Sequence, residues 1–135
     1  MRNTMPAKTA LSILIAEDNP VNRKMALIVL KKLGYKADTA TNGKEVLTAL
    51  EDRSYDLVLM DIQMPEMDGI EATRIIRKRW PNGPKIIVVT AFDGCRDLCF
   101  NIGADDFLNK PVKIEELGAA IKRNMHAEGC AESAC

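Results

Sequence analysis

The sequence predicts an open, doubly wound α/β domain, in which a parallel sheet carries helices on both faces. Three short apolar runs, Leu11 to Ala16, Leu57 to Met60 and Ile86 to Val89, are rich in Ile, Val and Leu and do not alternate with polar residues. Strands that read this way are buried on both faces, as in a parallel sheet between helices. Between the runs, apolar residues recur at the three-and-four spacing of a helix face. The two patterns alternate along the chain, which implies right-handed crossovers and parallel strands.

Each element has its own signal. After the first run, Val21, Met25, Ile28, Val29 and Leu33 are expected to form the buried stripe of a helix that Pro20 opens and Gly34 stops. A weaker strand follows at Tyr35 to Thr39. Val46, Leu47 and Leu50 mark the second helix, entered through Asn42 and Gly43. The third carries Ala72, Ile75, Ile76 and Trp80, with Asp68 as its cap and Pro81 ending it. Cys95, Leu98, Cys99 and Ile102 form a short fourth helix. A weak fifth strand at Asp106 to Asn109 leads into a fifth helix with Ile114, Leu117 and Ile121. The expected layout is an N-terminal tail at 1–10, one domain at 11–125 and a C-terminal tail at 126–135.

Composition narrows the function. The 135 residues are 47% hydrophobic and 28% charged, and 19 basic residues balance 19 acidic ones. No bulk field points to nucleic acid or to an anionic membrane. No apolar run approaches the roughly 18 residues of a membrane span, and Met1 to Ala10 lack the apolar centre of a signal peptide. The expected location is the cytoplasm, with reduced thiols. Cys95 and Cys99 lack the spacing of a zinc or redox motif, and His126 is the one histidine. The basic run Arg74, Arg77, Lys78 and Arg79 is expected to be a solvated helix face.

The polar residues of interest fall where strands run out. Glu17 and Asp18 follow the first strand, Asp61 the third, Thr90 the fourth and Lys110 the fifth. In a doubly wound sheet those ends converge on one edge, where sites form. Three carboxylates in one crevice repel each other unless something positive sits among them. Magnesium suits oxygen ligands, and Lys110 offers a compact ammonium. Thr90 adds a hydroxyl donor. An oxygen nucleophile, a metal and two donors are the parts that phosphoryl transfer needs.

At these residues the chain resembles a receiver domain of the two-component response-regulator family. The resemblance is carried by Ile13-Leu-Ile-Ala-Glu-Asp-Asn19, Met60-Asp-Ile-Gln-Met-Pro-Glu-Met-Asp-Gly69, Val89-Thr-Ala91 and Leu108-Asn-Lys-Pro111, and it covers about residues 11 to 124. It implies a flavodoxin-like, five-stranded parallel sheet in the order 2-1-3-4-5 with five helices. It implies Asp61 as phosphoacceptor, Asp18 as direct ligand of Mg2+ (Mn2+ is an alternative), Glu17 as a ligand through water, and the Gln63 carbonyl as a backbone ligand. Lys110 becomes a phosphate contact, Thr90 the switch hydroxyl, Phe107 the switch aromatic, and Pro111 follows a cis peptide. The implied function is a phosphorylation-dependent signalling switch and not a turnover enzyme. The donor would be a histidine kinase or a histidine phosphotransfer domain. A downstream protein would bind the face of the fourth helix, fifth strand and fifth helix; no direct nucleic-acid contact is implied.

Asp18-Asn-Pro-Val-Asn22 is most similar to receivers of hybrid sensor histidine kinases, leaving a stand-alone regulator and an excised hybrid-kinase domain both open. The stretch from Thr90 to Gly103 is shorter than the family's usual pattern, in the loop and first turn before the fourth helix. Two other readings fit less well. A phosphohydrolase of the haloacid-dehalogenase type would carry an acid where Gln63 stands. A flavodoxin-like cofactor module would need a phosphate loop rich in Ser, Thr and Gly after the first strand, and Glu17-Asp18-Asn19 has the wrong charge for that.

Overall fold

The computed structural model describes residues 11–133 except 93, with side chains to residue 125. The expected N-terminal tail and the side chains of His126, Cys130 and Cys135 lie outside the described residues. Five parallel strands, β1 (Ile13–Ala16), β2 (Ala37–Ala40), β3 (Leu57–Met60), β4 (Lys85–Thr90) and β5 (Asp106–Asn109), form one sheet in the order β2-β1-β3-β4-β5. They alternate with α1 (Pro20–Lys32), α2 (Gly43–Asp52), α3 (Gly69–Arg79), α4 (Arg96–Asn101) and α5 (Ile114–Ser133).

Because side chains alternate along a strand, each apolar run serves two cores. Leu14, Ala16, Val58, Met60, Ile86 and Val88 pack with residues of α2, α3 and α4 on one face. Ile13, Ile15, Leu57, Leu59 and Ile87 pack with Leu30 of α1 and Leu117, Ala120 and Ile121 of α5 on the other. The strands read as continuous apolar runs because neither face meets water.

Helix ends follow their local chemistry. Asn19 accepts from the amides of Val21 and Asn22, Asn42 from that of Glu45 and Asp68 from that of Glu71. Each satisfies amides that a helix start leaves open. Gly34 has φ +93°, a conformation that suits glycine, and the Tyr35 amide reaches back to the Leu30 carbonyl at 2.8 Å. That bond keeps Tyr35 in the helix exit, so β2 starts at Ala37 and not at Tyr35.

Four expectations are corrected. Val21, Met25 and Ile28 point outward and are 65%, 58% and 46% exposed. Val29 and Leu33 of the expected stripe do pack against the core, but the rest of the inward face of α1 is Arg23, Ala26, Leu27 and Leu30, a second set with the same three-and-four spacing. Periodicity alone cannot choose between two such faces. In α4, Leu98 likewise faces solvent. Arg77 is no solvated residue: its guanidinium donates to the carbonyls of Gly103 and Pro84, each at 2.8 Å, and to Asp105 at 2.6 Å. Lastly, α5 continues through Ser133, where a tail was expected from 126; no proline interrupts that stretch, and its alanines favour helix.

Candidate functional site

The strand register brings the polar residues together. Ala16 pairs with Met60, which sets Glu17 and Asp61 side by side at the carboxyl ends of β1 and β3. The Glu17 amide donates to the Ala40 carbonyl and the Asp61 amide to the Ala16 carbonyl, both at 3.0 Å. On the other side Thr90 pairs with Asn109, and the Lys110 amide donates to the Thr90 carbonyl at 2.8 Å. The Lys110–Pro111 peptide bond is cis.

One carboxylate oxygen from each of Glu17, Asp18 and Asp61 lies within 4.8 Å of the others. Glu17 and Asp61 are buried, whereas Asp18 is exposed. Lys110 Nζ sits between the buried pair, 2.7 Å from Glu17 Oε1 and 3.3 Å from Asp61 Oδ2. Asp61 Oδ1 accepts from the Gln63 amide at 3.4 Å. Burial and the charge of Glu17 push the Asp61 carboxyl up to about 6, against the pull of Lys110. Burial lowers the Lys110 ammonium, but the hydrogen bond to Glu17 and the charge of Asp61 outweigh it and leave the group above its usual value.

This donor set fits a hard divalent cation. All three acids offer oxygen, and one lysine cannot neutralise three carboxylates. The remaining negative charge is what a bound cation would offset.

Thr90 ends β4 and Phe107 lies within β5, on the side of β3 away from β1. Thr90 Oγ1 accepts from the Phe92 amide at 3.3 Å, and the residue is buried. Phe107 is buried in the core, with the Arg96 guanidinium 5.6 Å above its ring. Phe92 is 57% exposed, and its ring tip lies against Gly94.

Two further residues take part in the site, Gly69 and Arg23. A Cβ on Gly69 would collide with the Asp61 carbonyl oxygen, so glycine lets the start of α3 close under the acid; the Gly69 amide donates to the Ile62 carbonyl at 2.9 Å. Arg23 is the other, with Nη1 3.0 Å from the Glu17 carbonyl. A glycine after Asp68 could have been read as a close approach, but nothing in the spacing separates Arg23 from the other basic residues of α1.

Comparison with known proteins agrees with this geometry. Residues 13–122 match the family model described as the response regulator receiver domain. The chain belongs to the response-regulator receiver family. It is 38% identical over 128 residues to hybrid signal transduction histidine kinase F of Dictyostelium discoideum. That match takes in 90% of this chain but only 12% of the relative. A solved receiver domain of the Pseudomonas aeruginosa sensor histidine kinase PA1611, with magnesium coordinated in its active-site cleft, is 38% identical. It superposes with a TM-score of 0.78 over 84% of this chain and 96% of that one. The Thermotoga maritima response regulator TrrA, solved in complex with Mg2+ and BeF, is 37% identical, with a TM-score of 0.78 over 84% and 97% of the two chains. These solved receiver domains thus share this chain's fold. Among the described residues, no helix is long and apolar enough to cross a membrane.

Proposed function

We propose that this receiver domain is a phosphorylation switch whose acceptor is Asp61. The observation that carries the reading is the buried Asp61 carboxylate, with Lys110 at 3.3 Å and two further acids at the same strand edge. A phosphohistidine of a histidine kinase or of a histidine phosphotransfer domain is the donor. An Asp61 oxygen attacks phosphorus, the new O–P bond forms as the P–N bond breaks, and the electron pair leaves with the imidazole.

Asp18, Asp61 and the Gln63 carbonyl would hold Mg2+ (or Mn2+), with Glu17 acting through water. When bound, the ion neutralises charge on the transferring group. Lys110, already within reach of Asp61, pairs with a phosphoryl oxygen. The Thr90 hydroxyl accepts from Phe92 and keeps its own hydrogen to donate. The domain is a stoichiometric acceptor that assists its own phosphorylation, and it works in the cytoplasm. The magnesium in the PA1611 receiver supports this assignment of the acids.

The outward stripe of Val21, Met25 and Ile28 begins three residues beyond Asp18. This apolar face beside the site is the seat for the donor's helices. The downstream partner binds α4, β5 and α5, where Leu98 and Phe100 are exposed.

Intact-mass measurement after treatment with acetyl phosphate tests the acceptor. With Mg2+ the chain should gain one phosphoryl group, and Asp61→Asn should gain none. Equal labelling of the asparagine variant would reject Asp61 as the acceptor.

A further inference from the structure

We infer that Arg23 is a positioning residue for the cation site, holding the backbone from which Asp18 projects; this rests on the reading of Asp18 as a metal ligand. Arg23 lies on the inward face of α1 and is half-buried. Its Nη1 donates to the main-chain carbonyls of Glu17 at 3.0 Å and Asp18 at 3.4 Å. These are the two residues that turn the chain out of β1.

The three acids are held in different ways. The Glu17 carboxylate is fixed by Lys110 at 2.7 Å and by the Asn19 amide at 3.2 Å. Asp61 is fixed by Lys110 and the Gln63 amide. Asp18 is exposed, and among the described residues no hydrogen bond reaches its carboxylate. Its direction is therefore inherited from its own backbone. The Asn19 side chain ties the far end of that turn to the start of α1 through the amides of Val21 and Asn22. Arg23 closes the near end from one helical turn further on, so the turn is clasped at both ends by the helix that follows it.

A second role for the guanidinium predicts the opposite result. As a fixed positive charge beside the acids, Arg23 would repel an incoming cation, and its removal would tighten binding. As a clasp on the turn, its removal frees Asp18 and weakens binding. Partners that orient metal ligands typically contribute about 10- to 100-fold in affinity.

The test is an Mg2+ titration of the unphosphorylated full chain, followed through the amide NMR signals of Asp18, Asn19, Ile62 and Gln63. Arg23→Ala should raise the half-saturating Mg2+ concentration about tenfold, at the lower end of that range. In an Asp18→Asn chain, the same change should raise it no further, because Arg23 acts through Asp18. Unchanged or tighter binding by a cooperatively folded Arg23→Ala protein would overturn the proposal. So would an equal loss in both backgrounds. Where Arg23→Ala does not melt cooperatively, Arg23→Lys takes its place, with the same direction expected and the same two refutations. A wild-type chain that binds no Mg2+ at these amides would instead reject the metal site itself.

Discussion

Replacing Asp61 by asparagine without divalent cations isolates the cost of gathering three acids at one strand edge. The Asp61 carboxyl is pushed from 3.8 up to about 6, chiefly by burial and next by the charge of Glu17. Keeping such an acid ionised at pH 8 costs the folded state about 3 kcal/mol, at 1.36 kcal/mol per pKa unit. Asparagine is nearly isosteric and carries no charge, so it removes that cost. The sign follows from linkage. An acid whose pKa is raised in the folded state favours folding below its unfolded value of 3.8, and loses that advantage as pH rises through about 6. Urea unfolding of wild type and Asp61→Asn in a chelating buffer should give equal stability near pH 3.5. By pH 8 the variant should be the more stable by up to about 3 kcal/mol. Adding Mg2+ should narrow the gap, because a site with three carboxylates gains more from the ion than one with two. Equal stability at pH 8, or a gap that does not change with pH, would refute this account of the site's electrostatics.

Three further outcomes follow from the packing. Gly69→Ala should cost about 1–3 kcal/mol, because the new methyl meets the Asp61 carbonyl, and should slow labelling by acetyl phosphate; an unaltered denaturation midpoint would show that the start of α3 can yield. Leu30→Ala should cost about 2–5 kcal/mol as a core truncation, whereas Met25→Ala should stay within about 0.5 kcal/mol; the reverse order would mean that the faces of α1 are misassigned. Cys95 and Cys99 are buried, and burial followed by the neighbouring Cys95 thiol pushes Cys99 up to about 12. Both should label slowly with a thiol reagent at pH 8.5 in the native protein and quickly in urea, as read by peptide mass mapping.

The sheet was legible because its central strands are buried on both faces. Leu57–Met60 and Asp106–Asn109 begin and end where the apolar runs and their neighbours indicate. The convergence of Glu17, Asp18, Asp61 and Lys110 was legible too, since parallel strands send all their carboxyl ends to one edge. Other features depend on contacts distant in sequence. The inward phase of α1 is decided by Leu30 meeting the β1 and β3 side chains, and the role of Arg77 by carbonyls at Pro84 and Gly103. A local pattern in the chain does not encode which of two apolar stripes the sheet will select. The Arg23 contacts with Glu17 and Asp18 are local, but arginine there looks like any other basic residue on a helix.

Glu17 and Lys110 are separated by 93 residues. All three acids come from the first half of the chain, while Lys110, which pairs with two of them, arrives just after the last strand. A chain still being synthesised, or one with β5 undocked, holds three like charges and no counter-charge, and Thr90 lacks the strand that closes over its carbonyl. Such a chain is a poor target for a phosphodonor. On the proposed assignment, competence to be labelled would require β5 to be docked.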